Sequence, residues 1–299
     1  MNSAVSYIRA LVYAVRPFEN MQHMAMTIAG ISFGAYSAGI LVIDTDIILG
    51  MIAVFAFLSH VLSFNNYATY DEDMQDASKG FSRKFRSTGR IFQFRVSLVF
   101  FLITVGITLY ISPFITVIAI LLMLAWALYT HPAVMLKKGR FVPFILDFIT
   151  MPLLFLFGFF LTGSITQNAL IISLFFGMIE TGGHLNHMVI DSDIDRKTGI
   201  LTVAVRFGRK RVFLVSMLFL ITAPIYFFTA TLDILPLVMA LVFIPGIPLL
   251  IIRALPAIRG QFSRQRAAAL RSIYRIVYII EALILEIFIL LSISYKIAL

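Results

Sequence analysis

Long apolar stretches separated by short polar connectors run along the whole chain. A helix that crosses the hydrocarbon core of a bilayer needs about 20 mostly apolar residues. About nine such stretches occur, each bounded by charged residues, Pro or Gly. They cover approximately residues 22–42, 47–66, 94–111, 113–130, 142–162, 164–188, 212–231, 234–252 and 274–294. The pattern predicts an all-α fold, a polytopic membrane bundle of about nine transmembrane helices that forms a single domain over residues 1–299.

The composition excludes a soluble globular domain. Hydrophobic residues make up 60% of the 299 residues and charged residues only 13%, whereas a soluble domain carries roughly 25% charged residues. A soluble domain of this size must cover its surface with polar groups, so the bilayer must solvate most of this chain. The sequence contains no Cys, which excludes disulfides, a thiolate nucleophile and a thiolate metal site.

Positive charge is concentrated in alternate connectors. All of the 24 Lys and Arg residues except Lys296 lie before the first stretch or after the second, fourth, sixth and eighth stretches. The positive-inside rule assigns these connectors to the cytoplasm. It predicts a cytoplasmic N-terminus and cytoplasmic loops at about 71–93, 131–141, 191–211 and 253–273. The net charge of +9 is then explained by anionic membrane lipid and an anionic substrate as partners, and no nucleic-acid partner is expected. The Arg residues after the eighth stretch are interpreted as lipid-headgroup contacts.

Two acidic runs hold nearly half of the 15 carboxylates. One is Asp71-Glu72-Asp73-Met74-Gln75-Asp76, at the end of the second stretch, and the other is Asp191-Ser192-Asp193-Ile194-Asp195, at the end of the sixth. Residues four apart share a face of a helix, which pairs Glu72 with Asp76 and Asp191 with Asp195. Each run continues into a basic loop that contains Gly. The two runs therefore look like a weak internal repeat.

Clustered carboxylates repel one another unless a cation compensates them. Mg²⁺ binds through one or two carboxylates together with substrate phosphates, and neighbouring Lys and Arg side chains complete a diphosphate site. The sequence therefore predicts a Mg²⁺–diphosphate site at the cytoplasmic boundary of the membrane, with the two runs facing each other across the bundle. The expected ligand is an isoprenoid diphosphate. Solvated helix ends are the alternative interpretation, and the matched spacing of the two runs favours the site.

At these residues the sequence resembles the UbiA superfamily of membrane prenyltransferases. The stretch from Asp191 to Gly208 is similar to the family pattern D-x-x-x-D-R-x-x-G-x-x-T-x-x-x-x-x-G. The segment from Tyr129 to Lys137 resembles the family's Tyr-Ser-x-Pro-Pro…Lys segment, and Arg16-Pro17 also fits. The resemblance implies nine transmembrane helices around a central cavity, with Asp-rich motifs on the second and sixth helices. Here these motifs fall at residues 65–76 and 187–199.

The first motif departs from the family form NDxxDxxxD. Asn66, Asp71 and Asp76 are spaced five and five, and the helical pair Glu72 and Asp76 has Ala68 where Asn would fall. Two explanations stay open. Either the helix carries a local π-bulge, as functional sites often do, or Glu72 replaces the usual first Asp.

The resemblance implies roles for three sets of polar residues. The catalytic carboxylates are Asp71, Asp76, Asp191 and Asp195. The Mg²⁺ ligands are Asp71, Glu72, Asp76, Asp191 and Asp195, with Asp73 and Asp193 as further candidates. The residues expected to bind the diphosphate are Asn66, Arg83, Lys84, Lys137, Arg140 and Arg196.

A further set of polar and aromatic residues is expected to line the pocket for substrate and acceptor. It comprises Tyr67, Tyr70, Tyr129, Asp147, Glu180, His184, Asn186 and His187. Ionisable residues within spans are functional candidates by default. Glu180, His184, His187 and Asp191 follow each other at spacings of four, three and four, so they share one helix face, which is predicted to turn inward.

The resemblance implies an enzyme of isoprenoid biosynthesis that transfers a prenyl group from an isoprenoid diphosphate to an acceptor, aromatic or lipid-like, within the membrane. A membrane terpene cyclase of the same family is an alternative. From other classes, a transporter or a non-catalytic lipid-binding relative stays open. Transporters usually keep ionisable groups near the midplane of discontinuous helices. Most carboxylates here lie at helix ends beside basic loops, which favours the enzyme.

Overall fold

The computed structural model describes residues 3–71, 89–131, 133–136, 142–197 and 199–298. These residues form twelve helices and no strand. The helices are α1 Ser3–Val15, α2 Pro17–Ala38, α3 Thr45–Ala68, α4 Arg90–Ile111, α5 Pro113–Thr130, α6 Val142–Phe160, α7 Gln167–Lys197, α8 Val203–Phe207, α9 Arg209–Thr231, α10 Leu237–Ala240, α11 Gly246–Ile258 and α12 Arg264–Ala298. The prediction of an all-α fold is confirmed.

Five helices of the described chain are long and apolar enough to cross a membrane: α3, α4, α5, α9 and the part of α12 up to Ser294. Shorter apolar helices occur at Phe144–Phe160 in α6 and at α11. α2 and α7 match the predicted first and sixth spans but carry more polar residues. The chain is thus a multi-pass membrane protein, whereas its orientation across the bilayer stays a prediction.

The predicted eighth span, 234–252, is interrupted. α10 ends at Ala240, and α11 begins only at Gly246 after a segment of turns. Pro236 and Pro245 directly precede the two pieces, and proline lacks the N–H that a continuous helix needs. The N–H of Gly246 instead donates to Oε1 of Glu281 on α12, at 2.8 Å.

Two predicted loops are partly helical. The loop expected at 191–211 begins inside α7, which continues to Lys197, and it also contains α8. The loop expected at 253–273 is shortened from both sides, because α11 continues to Ile258 and α12 begins at Arg264. Hydropathy indicates where the apolar part of a helix ends, but it does not detect helical turns made of polar residues beyond that point. This explains why both loops are shorter than predicted.

Contacts between the helices divide the chain into two compact units, and the single domain expected over residues 1–299 stays a prediction. The first comprises Met1–Thr27 and Ile43–Gly139. In this unit α3 packs against α1, α4 and α5, and Asp44 caps the start of α3 by accepting from the N–H of Ile47 at 3.0 Å. Ala14, Val15 and Val96 form part of its core.

The second unit comprises Ile28–Val42 and Arg140–Leu299. α7 is its central helix and packs against α6, α8, α9 and α12. Glycine permits the closest approaches between its helices. A Cβ on Gly30 of α2 would overlap the carbonyl oxygen of Phe155 on α6, and a Cβ on Gly177 of α7 would lie 2.8 Å from the carbonyl oxygen of Phe148.

Candidate active site

The second acidic run forms the last two turns of α7. Asp191, Asp193 and Asp195 are all helical, and the helix ends at Lys197. The chain then turns at Gly199, which has a φ of +73°, and the N–H of Ile200 donates back to the carbonyl oxygen of Asp195 at 2.7 Å. A glycine with positive φ followed by such a bond is a common way to end a helix.

Asp191 lies in a polar cluster that joins α7 to α12. Nδ1 of His187 is 3.5 Å from Oδ2 of Asp191, and Nη1 of Arg271 is 3.1 Å from the same His187 nitrogen. The side chains of His187 and Asp191 are 46% and 40% exposed. Arg271 was expected to contact lipid headgroups, but it lies against the end of α7 and adds a cation beside Asp191.

Asp195 is oriented by the segment that follows α7. Its Oδ2 accepts a hydrogen bond from Oγ1 of Thr202 at 3.0 Å. Thr202 is buried, and it directly precedes α8. The Thr of the D-x-x-x-D-R-x-x-G-x-x-T pattern therefore acts on the last carboxylate of the same pattern.

Asp193 is paired with a basic residue on another helix. Its two carboxylate oxygens lie 2.7 Å and 2.9 Å from Nη2 and Nη1 of Arg209, the first residue of α9. At 3.6 residues per turn, Asp193 is rotated about 200° from both Asp191 and Asp195. The structure thus separates the three carboxylates, with Asp191 and Asp195 on one face of α7 and Asp193 towards α9.

The expected inward face of α7 is only partly inward. His184 is largely buried, with its Nδ1 2.5 Å from Oδ2 of Asp147 on α6, whose side chain is 2% exposed. Glu180 and Arg271 are the other charged groups that act on His184. His187, one turn further along, is exposed beside α12. The two histidines therefore contact different neighbouring helices.

Asn186 is fully buried within α7. Neither its Oδ1 nor its Nδ2 has a hydrogen-bond partner among the described residues. Buried amide groups are nearly always paired, so this position is consistent with a polar ligand at the expected pocket. Nearby, the hydroxyl of the buried Tyr274 lies 3.5 Å from the carbonyl oxygen of Gly183.

The first acidic run begins where α3 is interrupted. α3 ends at Ala68, Thr69 adopts a turn, and Tyr70 and Asp71 are again helical. Both the N–H and the Oγ1 of Thr69 donate to the carbonyl oxygen of Asn65 at 2.9 Å. The irregularity thus lies between Asn66 and Asp71, where the spacing departs from the family motif, and it is a turn where a π-bulge was considered.

Asp71 is the only member of the first run within the described residues. Its side chain is 77% exposed, and Oδ2 lies 3.5 Å from Nη1 of Arg90 on α4. The guanidinium carbon of Arg90 also lies 4.8 Å from the ring centre of Tyr67, a cation–π arrangement. Sequence reasoning gave Arg90 no site role, because a contact between α3 and α4 has no signature in the spacing.

Asn66 forms a buried junction between helices of the first unit. Its Oδ1 accepts from Nη2 of Arg16, and its Nδ2 lies 3.4 Å from Oε1 of Gln93 and 3.5 Å from the carbonyl oxygen of Ala14. Arg16 has a φ of +44° in the break between α1 and α2, a conformation that non-glycine residues seldom adopt. The amide of Asn66, expected to bind diphosphate, is thus engaged within the protein.

The remaining expected residues divide into two groups. Tyr129 packs edge-on against Trp126 with ring centres 5.3 Å apart, Tyr70 is half-buried, and Arg196 is exposed in the last turn of α7. The others lie outside the described residues, namely Glu72, Asp73, Asp76, Arg83, Lys84, Lys137 and Arg140.

The carboxylates of α7 suit Mg²⁺. Among the described residues, no three His, Asp or Glu side chains come close enough to hold a metal ion together. Mg²⁺ needs only one or two carboxylates, with phosphate and water completing its octahedron. Asp191 and Asp195 meet that requirement, because they are partly exposed, lie one helical turn apart and have oxygen donors.

An apolar cavity of about 400 Å³ lies elsewhere in the second unit, between α6 and α7. Phe148, Pro152 and Leu174 are among its lining residues. Leu174 precedes Asp191 by 17 positions on α7, which corresponds to about 25 Å of helix at 1.5 Å per residue. This cavity is therefore separate from the acidic residues.

Comparison with known proteins identifies the fold. The family model for the UbiA prenyltransferase family matches residues 24–276. A digeranylgeranylglyceryl phosphate synthase structure aligns with a TM-score of 0.69 at 18% identity, covering 96% of this chain and 99% of that chain. No curated protein matches the sequence.

Two further solved structures are similar. A UbiA homolog from Archaeoglobus fulgidus bound to GPP and Mg²⁺ aligns with a TM-score of 0.65 at 14% identity, covering 97% of this chain and 98% of that chain. The apo structure of a UbiA homolog from Aeropyrum pernix K1 has the same TM-score and identity and covers 88% of this chain and 97% of that chain. At these identities, the similarity shows a shared fold.

Proposed function

Because this chain belongs to the UbiA prenyltransferase family, we propose that it transfers the prenyl group of an isoprenoid diphosphate to a hydrophobic acceptor, aromatic or lipid-like, within the membrane. The observation that carries this proposal is the end of α7, where Asp191 and Asp195 share one face, His187 lies 3.5 Å from Asp191, and Asp195 accepts a hydrogen bond from Thr202. The GPP and Mg²⁺ bound to the Archaeoglobus fulgidus homolog support the substrate class.

In this proposal Asp191 and Asp195 of α7 bind Mg²⁺, and the assignment of the first acidic run to Mg²⁺ stays a prediction from the sequence. Bound Mg²⁺ would neutralise the charge that develops on the departing diphosphate. Arg196 binds the diphosphate oxygens directly, and the assignment of Arg83, Lys84, Lys137 and Arg140 to the diphosphate stays a prediction from the sequence. The site faces the cytoplasm, in keeping with the distribution of basic residues.

The reaction breaks the bond between the allylic carbon and the diphosphate oxygen, and the electron pair leaves with diphosphate. A nucleophilic carbon or oxygen of the acceptor then bonds to that allylic carbon, and the acceptor loses one proton. Aromatic rings stabilise a carbocation through their π-faces. We assign such a role to Tyr67, whose ring also makes a cation–π contact with Arg90.

The acceptor pocket is assigned to polar residues of α6 and α7. Asp147 holds His184 at 2.5 Å, which fixes the ring so that it receives a proton in a defined direction. Asn186 offers a buried amide to a polar group of the acceptor. Glu180 and His187 flank these residues on the same helix.

The test is turnover by the purified protein in lipid nanodiscs. Radiolabelled prenyl diphosphates of several chain lengths are supplied with Mg²⁺ or EDTA, and released diphosphate and prenylated product are measured. Asp191→Asn and Asp195→Asn are each expected to lower turnover about 100-fold or more, the scale on which a preorganised electrostatic contribution acts. Asp233→Asn, in the exposed turn after α9, is the matched control and is expected to retain full turnover.

Wild-type protein that neither binds nor consumes any prenyl diphosphate in the presence of Mg²⁺ would refute the proposal. Full turnover by Asp191→Asn would refute the assigned metal site. A cyclised hydrocarbon formed without any acceptor would refute transfer to an acceptor and identify a cyclase.

A further inference from the structure

The segment from Gly199 to Gly208 is folded back onto the end of α7. Both glycines have positive φ, +73° and +88°, so the segment is bounded by two backbone positions that suit glycine and that side chains disfavour. Two backbone hydrogen bonds close its first turn: the N–H of Gly199 donates to the carbonyl oxygen of Arg196 at 3.3 Å, and the N–H of Ile200 donates to that of Asp195 at 2.7 Å. Its further attachment to α7 comes from side chains.

In addition to the packing of α8 against α7, two polar side-chain contacts between described residues attach this segment to α7, one near its middle and one immediately after its end. Thr202 donates to Oδ2 of Asp195 at 3.0 Å. Arg209, the residue after Gly208, pairs with both oxygens of Asp193 at 2.7 Å and 2.9 Å. Such a bidentate pair fixes direction as well as distance, because the guanidinium is planar and its donors are rigid.

We propose that Asp193 and Arg209 are positioning residues whose ion pair fastens the start of α9 to the end of α7 and thereby keeps Thr202 against Asp195. The inference rests on the proposed function, in which Asp195 is a Mg²⁺ ligand. It gives Asp193 a role different from that of the two carboxylates beside it. A metal ion at Asp193 would have to displace the guanidinium from both oxygens, whereas Asp191 and Asp195 lie on another face.

The pair acts on the metal site through Thr202. A carboxylate ligand needs a hydrogen-bond partner that fixes its orientation, and loss of such a partner typically weakens metal binding 10- to 100-fold. Thr202 is that partner for Asp195. If the pair between Arg209 and Asp193 is broken, α8 still packs against α7, but the end of the segment at Gly208 loses its attachment to Asp193, and the contact between Thr202 and Asp195 is held less firmly.

The test compares Asp193→Asn, Arg209→Gln and the charge-swapped double variant Asp193→Arg with Arg209→Asp. Lys210→Gln is the matched control, because Lys210 is the adjacent basic residue and is exposed. Two quantities are measured in nanodiscs: the Mg²⁺ concentration that gives half-maximal turnover, and hydrogen–deuterium exchange of the peptide that covers residues 198–208.

We expect each single variant to raise the half-saturating Mg²⁺ concentration about 10-fold, with a smaller change in turnover at saturating Mg²⁺, and to speed exchange in the 198–208 peptide. The charge swap should reverse most of both changes, and Lys210→Gln should change neither. Unchanged exchange in both single variants would overturn the proposal. A loss of Mg²⁺ affinity without faster exchange and without recovery in the swap would overturn it in favour of direct ligation by Asp193.

A second comparison isolates the route through Thr202. In a Thr202→Val background, Asp193→Asn should add little further loss of Mg²⁺ affinity, because the two changes interrupt the same chain of contacts. Fully additive losses would overturn the route. Hydrogen–deuterium exchange can be measured without turnover, so it tests whether the ion pair fastens the segment even in an inactive protein. Wild-type protein that consumes no prenyl diphosphate would refute the proposed function and leave this test intact.

Discussion

Arg271 on α12 contacts His187 on α7, with Nη1 3.1 Å from Nδ1, and the same ring nitrogen lies 3.5 Å from Oδ2 of Asp191. A guanidinium only donates hydrogen bonds, so Nδ1 accepts when it pairs with Arg271, and the ring proton is then on Nε2. Arg271 thereby orients the imidazole and places a permanent positive charge next to the proposed metal ligand.

Replacing Arg271 with Gln should lower kcat/KM for the prenyl diphosphate about 10-fold, the scale on which groups behind a metal ligand act. The reason is that His187 loses its partner and the diphosphate loses a nearby cation. Steady-state kinetics in nanodiscs measure the effect. The control is Arg264→Gln, at an exposed position at the start of the same helix, which should leave kcat/KM unchanged. If both variants have the same kcat/KM, Arg271 contacts lipid headgroups and has no role at the site.

The pair of His184 and Asp147 should contribute to stability as well as to the pocket. Asp147→Ala leaves a buried imidazole without its carboxylate, and breaking a buried pair by removing one partner costs about 3–5 kcal/mol. The midpoint of thermal unfolding in detergent should fall clearly. The double variant His184→Leu with Asp147→Leu should recover much of the loss, since two apolar side chains leave no charge unpaired. A double variant as unstable as Asp147→Ala would contradict this account.

Gly30 tests the close contact between α2 and α6. Gly30→Ala places a Cβ onto the backbone of Phe155, and overpacking of this kind costs about 1–3 kcal/mol, which unfolding in detergent should detect. Gly106→Ala is the matched control, because its new Cβ meets nothing within 4 Å and alanine favours a helix over glycine. A Gly30→Ala variant as stable as the control would show that these helices are not in close contact.

Asn66 should prove structural as well as functional. Asn66→Ala removes the partner of Arg16 and Gln93, and an unsatisfied buried polar group costs about 1–3 kcal/mol. The substrate-free protein should therefore unfold at a lower temperature than wild type. Asn65→Ala, at the adjacent and only half-buried position, serves as the control. If Asn66 acted only on the diphosphate, the substrate-free stability would not change.

Short-range features of the acidic runs were predictable from sequence. Asp191 and Asp195 were paired because helical spacing of four places residues on one face, and α7 is indeed helical through both. The irregular spacing after Asn66 left two explanations open, a π-bulge or Glu72 in place of the first Asp; the structure has a turn at Thr69, and Glu72 lies outside the described residues. Such features depend on residues within about one helical turn of each other, so the spacing of the residues along the sequence is enough to predict them.

Contacts between distant helices were not predictable in this way. Arg271 and His187 are 84 positions apart, and Arg209 and Asp193 are 16 apart. Their charges were visible, but which Arg meets which acid depends on the rotation of α12 and α9 against α7. Packing determines that rotation. The sequence of a nearly all-apolar helix does not indicate which face packs against a neighbour, because the apolar residues surround the helix.

The break between α10 and α11 bears on how the protein is made. The N–H of Gly246 is satisfied by a carboxylate 35 positions later in the chain, and an unsatisfied backbone group is costly inside a bilayer. While the ribosome still holds Glu281, the eighth segment lacks this bond. The N–H of Gly246 therefore gains this partner only once α12 is in place, so this contact is made late in synthesis.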